Sequence, residues 1–191
     1  MAARSDTREE ILRTAGRLLQ TRGYTAFSYG QIAEALGVKP AAIHYHFPSK
    51  TDLGLALVER FRGRYRLWME DGAALSATEQ LDGFIAIYQR FLENGARVCP
   101  AGVLQSEFLA IPEEIQKAVG QMVKEIQSWL TGVLDQGRKS GELSFEGDAH
   151  DQAAMIGSSV MGALQMSRSL GPQHFHAVVR QLRAGLRPQR G

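Results

Sequence analysis

Cysteine is almost missing from this chain, with Cys99 the single one. An intrachain disulfide is therefore excluded, and the composition fits a reducing, cytoplasmic setting. Long apolar runs are missing too: none approaches the roughly 18 residues that a membrane span needs, so no membrane partner is expected. The opening "MAARSDTREEIL" has no apolar stretch behind a basic head, and no secretory signal is visible. Strand-like alternation, internal repeats and low-complexity tracts are absent, which leaves helices to build the core. No catalytic constellation stands in a recognisable motif, so no enzyme activity and no cofactor are expected.

What is present is a chain of 191 residues, 44% hydrophobic, enough for one or two domains with an ordinary core. Its net charge of +2 is unevenly spread. Residues 1–66 hold 11 basic and 6 acidic residues, whereas 67–191 hold 11 basic and 14 acidic. A basic first third suggests contact with a polyanion, and chance clustering of solvated charges is the competing reading.

The periodicity predicts an all-α fold of about nine helices. Ile11, Leu12, Ala15, Leu18 and Leu19 form one apolar stripe, with Asp6 and Glu9 spaced as a capping pair and Gly23 as the stop. A short helix follows in "SYGQIAEALG", where Ser28 and Gln31 have capping-box spacing and Gly37 ends it. A third starts at Pro40 and runs to about His46. After Pro48, Ser49 and Asp52 can cap a longer helix carrying Leu53, Leu57, Phe61, Tyr65 and Trp68. Ser76 and Glu79 precede another with Leu81, Phe84, Ile85, Tyr88, Phe91 and Leu92, closed by Asn94 and Gly95. A short helix near 100–110, a long one opened by Pro112, one from Asp148 to Leu170 and one from Pro172 to about Leu186 complete the chain.

Two short helices joined at a Gly, after a third helix, make a helix-turn-helix arrangement. Ile32, Ala33, Leu36, Val38 and Ile43 supply its small core, and Gly37 suits the left-handed backbone of the turn. The second short helix would lie in the major groove with Lys39, Pro40, Ala41 and Ala42 in its leading turn. His44 and His46 are two apart on a helix and do not share a face, so a shared metal is not expected.

These residues resemble the DNA-binding domain of TetR-family transcriptional regulators over roughly residues 8–54. The match rests on Phe27, Ser28, Ile32, Ala33, Leu36, Gly37, Val38, Ile43, His46, Phe47, Ser49, Lys50 and Leu53. The resemblance implies a helix-turn-helix domain at 1–50 and a helical ligand-binding and dimerisation domain at 51–191. It makes Ser28 a phosphate-contacting cap and sets Lys39, Ala41 and Ala42 where bases are read. It sets Tyr45, His46 and Lys50 where the phosphate backbone is held. His44 stands where the family usually has Tyr, and an imidazole can donate to a phosphate with shorter reach. Phe47 is expected to pack back into the core. With alanines leading the helix, methyl contacts to thymine and DNA shape would carry much of the specificity.

The resemblance also implies a cavity for an unknown small-molecule effector among the helices carrying Trp68, Phe84, Tyr88, Phe91, Phe108, Met122 and Trp129. Aromatics at this spacing equally describe a plain core. Cys99 would sit at a helix N-cap beside Arg97, which favours thiolate and suggests a sensor of electrophiles or oxidants. An inert core cysteine is the competing reading. Gly157, Ser158, Gly162 and Ala163, interleaved with Met155, Met161 and Met166, would let helices approach closely. A monomer core is one reading of them, and the family resemblance implies a homodimer pairing its last two long helices. Arg60, Arg62, Arg64 and Arg66 spread around their helix, more as solvated or dimer-rim charges than as DNA contacts. The expectation is thus a ligand-responsive regulator of a double-stranded DNA operator, most simply a repressor. The alternative is a small-molecule-binding or enzymatic helical protein with a vestigial helix-turn-helix.

Overall fold

A computed structural model of the chain describes residues 2–95 and 97–186, with side chains from Thr7 onward. The described residues form nine α-helices and no strand: α1 (Ala2–Arg22), α2 (Tyr29–Leu36), α3 (Pro40–His46), α4 (Lys50–Asp71), α5 (Ala77–Glu93), α6 (Pro100–Ser106), α7 (Glu113–Ser140), α8 (Ala149–Leu170) and α9 (Pro172–Ala184). The helix expected near 100–110 is α6 plus a separate 3-10 turn at Phe108–Ala110. α1 starts at Ala2, so Asp6 lies inside the helix instead of capping it, and its side chain lies outside the described residues.

The helix ends form where local chemistry satisfies the orphan backbone groups. Ser28 Oγ accepts the Gln31 amide at 3.4 Å while Gln31 Oε1 accepts the Ser28 amide at 2.9 Å. Gly37, at φ 66°, then ends α2: its N–H reaches Glu34 O and the Val38 N–H reaches Ala33 O, a Schellman closure. Ser49 and Asp52 bond reciprocally ahead of α4, with the Ser49 amide 2.9 Å from Asp52 Oδ2 and the Asp52 amide 3.1 Å from Ser49 Oγ. Ser76 and Glu79 do the same for α5. Each such cap contributes about 1 kcal/mol, which short helices such as α2 need.

The chain packs as two compact units. The first comprises residues up to Arg64 together with Pro100–Met122; the second comprises Tyr65–Cys99 and the chain from Val123 onward. The boundary expected at 50/51 follows the helix-turn-helix motif, whereas the first unit by packing also takes in the start of α4 and the segment 100–122. In the first unit Ile11, Leu19, Phe27, Ile32, Ile43, Phe47, Leu53 and Ile115 are buried. α1 meets α2 and α6, and α2 meets α3. Gly54 is where Tyr24 and Ile115 press on α4, since a Cβ there would clash with both side chains. In the second unit α8 packs on α9, and α5 packs on both. Phe84, Ile85, Leu130, Leu134, Ile156, Val160 and Phe175 form its core.

Candidate nucleic-acid interface

The α2–α3 pair is held from below. Ile32, Ala33 and Ile43 are buried between the helices, and Phe47, 2% exposed, anchors the end of α3 as expected. The Arg8 guanidinium covers the Phe47 ring at 5.1 Å. Tyr29, which the sequence reading did not single out, ties α2 to the turn after α3. Its hydroxyl lies 2.8 Å from Phe47 O and 2.5 Å from Ser49 O and shares its one proton between them. Burial first, then the charges of Asp52 and of the Tyr24 phenol group, push its phenol up to about 12. The signal was available as a Tyr at the first position of a short helix, but its partners are not local.

Above this scaffold the leading turn of α3 is open. Lys39, Pro40 and Ala41 are exposed, and Ala42 is half-buried. Lys39 has no side-chain cap bond, and Pro40 occupies the first helical position, where a missing N–H costs nothing. Ser28 is exposed at the start of α2, where its Oγ accepts the Gln31 amide and caps the helix. Tyr45 is 62% exposed.

The histidines diverge, as their spacing requires. His44 packs at a tilt against the Tyr29 ring, 4.6 Å between centroids, with Nδ1 3.4 Å from Pro48 O. His46 packs edge-on against Tyr45 at 5.2 Å. His44 thus leans on the tyrosine that braces the motif.

Lys50 is arranged differently from the phosphate-holding ammonium that the resemblance implies. Its Nζ donates to Phe27 O at 2.6 Å and Thr25 O at 3.4 Å, and it lies 4.8 Å over both the Tyr24 and Phe27 rings. Burial lowers its pKa, with the carboxylate of Glu107 opposing that shift. The side chain therefore straps the α1–α2 turn. On α4, Arg60 pairs with Glu9 at 2.6 Å and Arg62 with Glu59 at 3.5 Å.

The residues expected at an effector site divide between the units. In the second, the rings form a chain: Trp68–Trp129 at 5.0 Å, Trp129–Phe84 at 5.8 Å, Phe84–Tyr88 at 5.2 Å and Tyr88–Phe91 at 6.4 Å. A cavity of about 190 Å³ opens beside Trp68 and Trp129, walled also by Met69, Leu75, Gln80 and Gly83. Cys99 is 1% exposed, and its sulfur lies 3.9 Å from the Tyr65 hydroxyl. Burial, then the nearby Cys99, hold the Tyr65 and Tyr88 phenols well above their ordinary value. Such burial removes the solvent access that a reactive cysteine needs. Phe108, in the 3-10 turn, and Met122, in α7, fall in the first unit. Asp148, His150 and Asp151 gather their ligand atoms at an exposed spot, where the Asp148 carboxylate is engaged in capping α8 through the Asp151 amide at 2.8 Å.

No helix among the described residues is long and apolar enough to cross a membrane. Residues 11–57 match the profile of bacterial regulatory proteins of the tetR family, and residues 77–182 match that of the tetracyclin repressor-like C-terminal domain. The HTH-type transcriptional repressor NemR of Escherichia coli is 26% identical over 175 residues, covering 87% of this chain and 88% of its own. The HTH-type transcriptional regulator YxaF of Bacillus subtilis is 30% identical over 178 residues, covering 87% of each. A TetR-family regulator from Agrobacterium tumefaciens superposes with a TM-score of 0.91 at 28% identity, covering 97% of this chain and all of its own. The α2–α3 geometry and both profile matches lead to one assignment: the chain belongs to the TetR family of DNA-binding transcriptional regulators.

Proposed function

We propose that this regulator represses transcription as a homodimer that leaves its operator when a small molecule binds the second unit. The observation that carries the DNA half of this reading is the exposed leading turn of α3 on a buried, doubly capped scaffold. Lys39, Pro40, Ala41 and Ala42 meet base edges, while Ser28, His44, Tyr45, His46 and the start of α4 meet phosphates. Lys50 serves the phosphate side by bracing the backbone instead of by its ammonium.

Dimerisation is supported by α8. Met155, Met166 and Leu170 on α8 are 49%, 51% and 49% exposed. Apolar side chains left open on one helix suit a self-complementary face across a two-fold axis, and two recognition helices then meet two half-sites. Effector binding is supported by the cavity beside Trp68 and Trp129 and by the aromatic chain behind it. Cys99 and Tyr65 lie in the same unit as that cavity. A ligand that binds one conformation better shifts the population away from the operator-binding state. NemR is named a repressor, which supports that sign of regulation. The test is to capture genomic fragments with the protein, then challenge the complex with metabolites of the flanking genes. Retention of a promoter-containing fragment and its release by one compound is the expected result. Capture of no fragment at low salt would sink the reading.

A further inference from the structure

We propose that Glu107 is a positioning residue for DNA binding, holding the α1–α2 turn so that α2 and α4 present their starts correctly. Glu107 lies between α6 and the 3-10 turn, in the segment that packs with the first unit. Its Oε2 accepts the Tyr24 amide at 2.7 Å and the Thr25 amide at 3.1 Å, and its Oε1 accepts the Thr25 hydroxyl at 2.9 Å. One carboxylate thus satisfies the two donors that follow Gly23, from a position more than 80 residues away along the chain. A charged acceptor makes these bonds stronger than neutral ones.

The surroundings are shaped for it. Gly23 has φ 94°, and a Cβ there would collide with Glu107 Oε1, so the notch exists because this position is glycine. On the carbonyl side of the same turn, Lys50 Nζ holds Thr25 O and Phe27 O. The turn is therefore clamped by an anion on its amides and a cation on its carbonyls. Phe27 directly precedes the Ser28 cap of α2, and Lys50 is the first residue of α4. Both helix starts proposed to face phosphate consequently depend on a turn whose Tyr24 and Thr25 amides are held by Glu107. Loosening it leaves α2 and α3 folded, since their core lies elsewhere, but lets the phosphate contacts drift out of register. Phosphate contacts fix register and orientation, so specific binding suffers more than non-specific attraction.

The inference rests on the DNA-binding reading, and its test separates the two. Glu107→Ala, Glu107→Gln and Thr25→Val are titrated by fluorescence anisotropy against the genomic fragment that wild type retains, and against a random duplex of equal length. Amide exchange by NMR is followed without DNA. Glu107→Ala is expected to weaken the selected fragment about tenfold while the random duplex stays within roughly twofold. Glu107→Gln restores most of the loss, because one amide oxygen can take both N–H groups while its NH2 donates to Thr25 Oγ1. Exchange quickens at Tyr24 and Thr25 in Glu107→Ala while Ile32 and Ile43 stay protected. Should Glu107→Ala fail to fold, Thr25→Val, at an exposed position, carries the same readouts with a smaller effect. Unchanged affinity for the selected fragment, an equal loss on both duplexes, or exchange quickened throughout α2 and α3 overturns the proposal. Exchange reads the clamp without DNA, so a wild type that retains no fragment defeats the DNA-binding reading separately.

Discussion

The Nζ of Lys50 lies 2.6 Å from the carbonyl oxygen of Phe27, placing a cation inside the motif where the family resemblance implies one facing DNA. The strap makes a prediction that separates the two roles. Lys50→Met keeps the aliphatic stem over Tyr24 and Phe27 but leaves Phe27 O without its donor, which should cost about 1–3 kcal/mol in urea unfolding. The slope of log K against log salt for duplex DNA should change little. A loss of about 0.9 from that slope with unchanged stability would instead assign the ammonium to a phosphate.

Tyr29 sets an alkaline limit. Its folded pKa is raised from 10.0 to about 12, so the contribution is complete below the unfolded value and is lost as pH rises through the folded one. The buried phenols of Tyr65 and Tyr88 act in the same direction. Stability measured by urea unfolding should therefore fall from pH 10 upward, and Tyr29→Phe should flatten that fall while lowering stability at neutral pH. An unchanged slope in Tyr29→Phe would show that its proton is not held as described.

Gly37 carries the turn between α2 and α3 at φ 66°. Gly37→Ala meets no side-chain obstacle, since open space surrounds the position, so its cost is backbone strain alone. A loss of about 1–2 kcal/mol is expected, read as a lower melting temperature with an unchanged helical circular dichroism spectrum. No loss would mean the turn can adopt a conformation other than the Schellman closure.

Cys99 should behave as a core residue in the resting protein. A thiol reagent such as 5,5′-dithiobis(2-nitrobenzoate) should modify it much more slowly in the native chain than in urea, because the sulfur is 1% exposed. Reaction as fast in the native protein would revive the electrophile-sensing reading. Cys99→Ser would then have to abolish release from DNA by quinones, aldehydes or peroxide.

What was legible in the sequence is what is local. The Ser28–Gln31, Ser49–Asp52 and Ser76–Glu79 caps, Gly37, and Pro40 at the head of α3 lie within a few residues of their partners, and each forms as the spacing predicts. Phe47 falls in the core because an aromatic at the end of a short helix has few other places to go. The inward turn of Lys50, the shared proton of Tyr29 and the reach of Glu107 were not legible, since their partners are 18 to 83 residues distant. Asp6 and Glu9 carry cap-like spacing without forming a cap, because α1 continues past them to Ala2. The helical spacing of Phe84 and Tyr88 describes a buried core as readily as a pocket, and only packing showed the cavity beside Trp68 and Trp129.

The central claim is that the leading turn of α3 meets DNA, and Ala41→Glu addresses it most directly. Ala41 is exposed and glutamate is a good helix former, so the fold should persist while a carboxylate faces the groove. Like charges brought together at an interface cost several kcal/mol, so anisotropy titration of the selected genomic fragment should show affinity lowered by on the order of a hundredfold. Wild-type affinity in a folded Ala41→Glu protein would contradict the account.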